Sequence, residues 1–230
     1  MKTKIVFVSG STKGIGKAIA DKYETNGHIV IRNGRTVNTQ YKHYIQGDIS
    51  NINIRILIKQ YIKENFGKLD IIINNVAYTK FINHSDLHLL TEQEFDQIYL
   101  TNVKTPFLII QDLINLMDDT SNIINIASVA GSTGNGSNIA YCASKAAIIN
   151  MTKSLARALG PIRVNSISPG LIITDFVKFP GNYINETVEK TPIGTAGYPE
   201  DIANVAFSIT ELMTHVSGQD FIVDGGRILN

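Results

Sequence analysis

The chain has 230 residues, 43% hydrophobic and 18% charged, and a net charge of +1. A single domain of this size hides roughly 70–75% of its unfolded surface, so its core needs no metal or disulfide staple. Near-neutral charge excludes bulk attraction to nucleic acid or an anionic membrane, and a single cysteine, Cys142, excludes an intramolecular disulfide framework.

Lys2 and Lys4 precede the apolar Ile5-Val6-Phe7-Val8, a run of only four residues. A secretory core needs roughly 7–15 apolar residues and a membrane span about 20, so a cytoplasmic protein is expected. Run-like apolar segments predict strands at Ile5–Ser9, Ile29–Arg32, Tyr44–Gln46, Leu69–Asn74, Asn122–Ser128, Arg163–Ser168 and Asp220–Val223. Continuous rather than alternating apolar character indicates strands covered on both faces, as in a parallel sheet. Amphipathic stretches between them predict helices near Gly16–Asn26, Asn53–Phe66, Thr91–Leu116, Ile139–Leu159 and Pro199–Leu212. This alternation implies right-handed crossovers and a doubly wound α/β sheet in a single domain. The stretch 171–198 has weak periodicity and predicts a long functional loop, a lid over a substrate.

The first strand runs into Gly10-Ser11-Thr12-Lys13-Gly14-Ile15-Gly16, ahead of the first helix. Glycines let backbone approach a pyrophosphate closely, and free N–H groups at a helix N-terminus bind its charge. Further on, Tyr141 and Lys145 stand four residues apart on a helical stretch and so share a face. An ammonium within about 4–6 Å stabilises tyrosinate and draws a phenol toward neutral pH. Alone, this spacing is common on solvated helix faces. Ser128 adds to it, ending an apolar strand where parallel sheets place their ligands. A Ser–Lys hydrolase would leave the glycine turn unexplained, and Ser128 lacks a GxSxG elbow. His84 and His88, four residues apart, have no partners at ligand spacing, so no metal is expected.

The GxxxGxG turn, Ser128, Tyr141-Cys142-Ala143-Ser144-Lys145 and Thr101-Asn102-Val103-Lys104 together resemble the short-chain dehydrogenase/reductase family. The likeness continues through almost the whole chain. It implies a Rossmann-type fold with a seven-stranded parallel sheet and helices on both faces. It also implies that Ser128 bonds the substrate oxygen, Tyr141 passes the proton, Lys145 also holds the nicotinamide ribose, and Asn102 supports a proton-relay water. Asp48-Ile49 resembles the adenine-contacting dipeptide, and Asn75, Val76 and Ala77 stand in the ribose-side Asn-Asn-Ala-Gly segment, with Ala77 a departure from glycine. Pro169, Gly170, Ile172 and Thr174 match the segment orienting the carboxamide. Val223-Asp224-Gly225-Gly226 fits a last strand that usually lies in an oligomer interface, giving a dimer or tetramer.

Gly34 stands where an NAD-selecting carboxylate is expected, with Arg35 after it and Lys13 inside the turn. Two cations and no carboxylate favour NADP(H) over NAD(H). Too few residues separate Arg35 from Asp48 for the family's helix, so Thr36–His43 is expected to be a loop. The branch most resembled is that of 3-oxoacyl-acyl-carrier-protein reductases. However, Asp118-Asp119 stand where those proteins carry the basic residues that would dock an acidic carrier. A small free ketone or secondary alcohol is therefore the expected substrate, with the lid's Phe176, Phe179 and Tyr183 lending a partly apolar wall. A nucleotide sensor reading the NADP(H) ratio is the non-enzymatic alternative.

Overall fold

Alternate residues of the first strand, β1 (Ile5–Val8), enter different cores: Ile5 and Phe7 one, Val6 and Val8 the other. Successive side chains on a strand point to opposite faces, so a strand apolar at every position must be covered twice. The computed structural model describes residues 2–176 and 181–229. The remaining strands are β2 (Ile29–Gly34), β3 (Tyr44–Gln46), β4 (Ile71–Asn74), β5 (Asn122–Ile126), β6 (Arg163–Pro169) and β7 (Asp220–Val223). All seven form one sheet in the order β3-β2-β1-β4-β5-β6-β7, each neighbouring pair parallel.

Helices α1 (Gly14–Thr25) and α2 (Ile52–Phe66) fall on opposite faces. They are followed by α3 (Glu92–Tyr99), α4 (Thr105–Leu113), α5 (Ala130–Thr133), α6 (Ile139–Ala158), α7 (Tyr183–Glu189) and α8 (Pro199–Glu211). Ile58 and Ile62 of α2, Ile109 and Leu113 of α4 and Leu155 of α6 fill one core. Ile19 and Tyr23 of α1 and Ile202, Ala206 and Phe207 of α8 fill the other. The Tyr23 hydroxyl joins α1 to α8 through Thr210 Oγ1 at 2.7 Å. From β1 the chain winds first toward β3, then returns to place β4 on the other side. This reversal opens a crevice beyond the strand ends, the usual ligand position in such sheets.

Two expectations need correction. The single helix over Thr91–Leu116 is broken by a π-turn at Leu100–Lys104 and ends in a 3₁₀ turn at Ile114–Leu116. The cause is Pro106, which lacks the N–H that a continuous α-helix would give to the carbonyl of Asn102. The register widens instead: Thr105 N–H donates to Leu100 O, and Thr105 Oγ1 donates to the same oxygen at 2.8 Å. The second correction is in 171–198, which is not all loop, because α7 lies within it. The two ends of this segment meet, Ile173 N donating to Gly197 O and Gly197 N to Leu171 O, both at 2.9 Å. Phe179 lies outside the described residues. Thr36–His43 contains no helix, as its length predicts. No helix among the described residues is long and apolar enough to cross a membrane.

Candidate active site

The crevice at the strand ends is a cleft of about 1130 Å³. Its walls carry Gly10, Thr12, Lys13, Gly14 and Ile15 from the first turn, and Arg35, Asp48 and Ile49 from the ends of β2 and β3. Asn75, Val76 and Ala77 follow β4; Ser128, Tyr141 and Lys145 sit at the centre; Pro169 ends β6, and Gly170, Ile172 and Thr174 follow it. Residues scattered over most of the chain thus converge on one cavity.

Three of the sequence-predicted site residues do not line it. Ser11 is buried, its hydroxyl donating to Val8 O at 2.8 Å and accepting from Asn33 N at 3.1 Å, so it clamps the turn to β2. Gly16 is a packing requirement. A Cβ there would lie 2.4 Å from both Asn75 Nδ2 and Gly10 O, and that same Asn75 amide holds Ser9 O and Gly10 O at 3.1 Å. Gly16→Ala is expected to cost about 1–3 kcal/mol through overpacking, seen as a lower Tm; an unchanged Tm would mean the turn has slack.

The third is Asn102, whose side chain is committed elsewhere. Its Oδ1 accepts from Tyr78 N at 2.7 Å, and its Nδ2 donates to Tyr78 O and Ser144 Oγ, both at 3.0 Å. Ser144 in turn donates to Tyr141 O at 2.7 Å. Asn102 therefore braces both walls of the cleft from behind.

At the centre, Ser128 lies two residues beyond β5, clear of the sheet ladder, with Oγ accepting from Ala130 N at 3.2 Å. Asn138 caps α6, its Oδ1 accepting from Tyr141 N at 2.7 Å and its Nδ2 donating to Lys80 O at 2.7 Å. Tyr141 is thereby fixed on the first turn of α6. Sequence reasoning overlooked Asn138, although an asparagine directly before a helical run is a standard cap signal.

Gly131 has no room for a side chain: a Cβ would lie 2.7 Å from Ala146 N, so α5 packs on the α6 backbone beside Lys145. The lysine is 3% exposed and donates through Nζ to Ile126 O at 2.7 Å. Burial draws its ammonium down to about 7. Burial pushes the Tyr141 phenol the other way, up to about 12, and a hydrogen bond with the Ser128 side chain offsets part of this. The lowering by Lys145 expected from the spacing is not what sets the shift here; Lys145 Nζ stands 5.7 Å from the phenol ring centroid, and burial gives the direction.

Asp48 Oδ1 accepts from Ser50 N at 2.9 Å and Ser50 Oγ at 2.7 Å, turning the chain toward α2. Arg35 and Lys13 are exposed cations on the wall at this same end of the cleft. Gly34 packs directly under Thr12, where a Cβ would lie 2.5 Å from Thr12 Cγ2, so a side chain there would crowd the turn.

A family model described as Enoyl-(Acyl carrier protein) reductase matches residues 10–227. The 3-oxoacyl-[acyl-carrier-protein] reductase FabG of Aquifex aeolicus is 31% identical, the match covering 98% of each chain. A 3alpha-hydroxysteroid dehydrogenase of Mediterraneibacter gnavus is 34% identical over 98% of this chain and 97% of its own. The ligand-free structure of Thermoplasma acidophilum aldohexose dehydrogenase superposes with a TM-score of 0.88 at 26% identity, covering 99% of this chain and 95% of that one. With the sheet order, the glycine turn and the Ser-Tyr-Lys centre on one cleft, these similarities assign the chain to the short-chain dehydrogenase/reductase family of oxidoreductases acting between CH–OH and C=O.

Proposed function

We propose that the protein is an NADP(H)-dependent oxidoreductase moving hydride between nicotinamide and a small ketone or secondary alcohol. The observation that carries this reading is the convergence of Ser128, Tyr141 and Lys145 on a cleft whose other end is built for a dinucleotide. The residues present fit that cofactor. The N-terminus of α1 opens on the cleft through Gly14, and a Cβ at Gly10 would lie 2.9 Å from Val76 Cγ2, so backbone forms the cradle. Asp48 and Ile49 would hold the adenine side, Lys13 and Arg35 a 2′-phosphate, and Asn75 to Ala77 the ribose side. Pro169, Gly170, Ile172 and Thr174 would hold the carboxamide.

Bound nicotinamide supplies or accepts the hydride. The protein's part is proton transfer and orientation. Ser128 and Tyr141 place two hydroxyls against one substrate oxygen, as a carbonyl becoming an alcohol requires. Tyr141 passes the proton, and Lys145, with one N–H donated to Ile126 O, directs its remaining donors toward the ribose and the relay. Asn102, behind the cleft wall, supports the relay by positioning Tyr78 and Ser144. The segment from Leu171 to Tyr198, pinned at both ends, serves as the lid. An NADP(H) sensor would have no use for this proton-transfer set.

A carrier-bound 3-oxoacyl substrate is the second reading, favoured by the FabG likeness. Asp118 and Asp119 weigh against it. Hydrogen bonds from Thr120 and Ser121 outweigh a partial desolvation and hold the Asp118 carboxyl below its ordinary value, so it stays charged and repels an acidic carrier.

The test is calorimetric titration with NADPH and NADH in parallel. NADPH is expected to bind more tightly, and Arg35→Ala to weaken NADPH by roughly tenfold or more while sparing NADH. Equal affinities would refute phosphate recognition by Lys13 and Arg35.

A further inference from the structure

The turn that follows β7 is held on several sides. After β7 the backbone enters the left-handed region at Gly225 and Gly226, with φ of 67° and 84°. Asp224 closes the turn, accepting from Gly226 N at 2.9 Å and Ile228 N at 2.8 Å. Its far side packs on the wall of the cleft: a Cβ at Gly170, in the carboxamide segment, would lie 2.7 Å from Asp224 Cβ. Another side packs on the return limb of the lid segment, where a Cβ at Gly225 would lie 2.8 Å from Ile193 Cγ1 and Thr191 Cγ2. The turn is therefore wedged between the reaction centre and the lid, and it presents one side chain to the cleft, Arg227.

Arg227 is half-buried and reaches α7, its Nη2 donating to the Tyr183 hydroxyl at 3.3 Å. Tyr183 also lines the cleft, and Phe176 on the same segment lies 6.4 Å from the Tyr141 ring. Four cationic side chains line the cleft among the described residues. Lys13 and Arg35 belong to the adenosine end and Lys145 lies beneath the reaction centre. Arg227 alone stands at the substrate end, and among the described residues it makes no ion pair. Asp175 is the wall's other charge on that side. A guanidinium with five donors spends one of them on a phenol oxygen, leaving its fork for a planar anion.

We propose that Arg227 and the Tyr183 hydroxyl form an anion subsite, so that the substrate is a small carbonyl compound bearing a carboxylate or phosphate. This rests on the reading of the cleft as a carbonyl-reducing site. The anion lies across the cleft from the hydride-accepting carbon, and α7 carries half of its binding groups. An anionic substrate therefore adds a second tie between α7 and the turn after β7, beside the bond from Arg227 to Tyr183.

The probes are oxo acids of increasing length, from 4-oxopentanoate upward, each beside its methyl ester, with NADPH as reductant. The acid is expected to exceed its ester in kcat/KM at the length that spans the cleft. In Arg227→Gln that acid-to-ester ratio falls roughly ten- to hundredfold, chiefly through KM, and Arg227→Lys restores part of it. A brace that merely held α7 would lower acid and ester alike and leave the ratio unchanged, which overturns the proposal. So does a wild-type ratio near one at every length. A binding titration of the acids into NADPH-loaded Tyr141→Phe separates the two readings. Arg227-dependent binding of acids without wild-type turnover keeps the anion subsite and refutes the reductase. Turnover of esters and acids alike refutes the subsite alone, and neither turnover nor binding refutes both.

Discussion

Tyr141→Phe is expected to lower turnover by ~10²-fold or more while leaving the NADPH affinity within a small factor of the original. The ring remains, so its contact with Phe176 and the packing of the first turn of α6 are preserved. Ser128 keeps its bond from Ala130 N, and Lys145 its bond to Ile126 O. What disappears is the hydroxyl that the proposed function makes the proton donor and acceptor. With the phenol held up at about 12, Tyr141 is protonated at neutral pH, so carbonyl reduction finds its proton in place. Alcohol oxidation needs that phenol to give its proton up, and its rate is expected to rise with pH through the neutral and alkaline range. The residual oxidation by Tyr141→Phe should lose that rise. Steady-state rates in both directions between pH 6 and 10 test this; a Tyr141→Phe enzyme that keeps normal turnover would remove Tyr141 from the reaction.

The parts of this molecule most legible in the sequence are those governed by local rules. Strands such as Ile5–Val8 and Ile71–Asn74 are apolar at nearly every position because both faces are covered, and the sequence displays that directly. The missing helix between β2 and β3 follows from chain length alone. The break at Leu100–Lys104 was legible too, since Pro106 stands inside the predicted helix, but its strong apolar pattern masked the proline. Less accessible were features set by contact across the fold. Nothing near Asn102 in sequence announces that its amide holds Tyr78 and Ser144, 24 and 42 residues away. The same is true of Arg227, which reaches the cleft only because the terminal turn is wedged against Gly170 and Ile193. The direction of the Tyr141 shift also depends on burial, and a Tyr-x-x-x-Lys spacing carries the charge partner but not the desolvation.

Removing the two carboxylates that face Arg32 should cost more stability than removing Arg32 itself. Arg32 stands on β2 with its side chain fully buried, a charge directly after the apolar Ile29-Val30-Ile31. Its Nη2 donates to Asp21 at 2.6 Å and to Glu24 at 2.8 Å, both on α1, and its Nη1 to Ser11 O at 3.2 Å in the glycine turn. The Tyr41 ring, from the loop that replaces the missing helix, covers the guanidinium at 4.1 Å. One buried cation thus ties together the sheet, the helix whose N-terminus opens on the cleft, the turn and the loop. Asp21 and Glu24 retain 39% and 42% of their side-chain exposure, so water can take them back when Arg32 is replaced. The guanidinium has no such recourse. In Asp21→Asn with Glu24→Gln it remains buried and uncompensated, at a cost of about 3–5 kcal/mol. For a chain of this length that is a fall in Tm of roughly 6–20 °C. Arg32→Met alone should lose less than this, and the triple variant, with no buried charge left, should recover most of the loss of the double. Thermal unfolding of the three variants gives the order directly. A double variant as stable as the parent would show that the surrounding carbonyl and ring suffice for the cation, and that the carboxylates on α1 are surface charges with a chance neighbour.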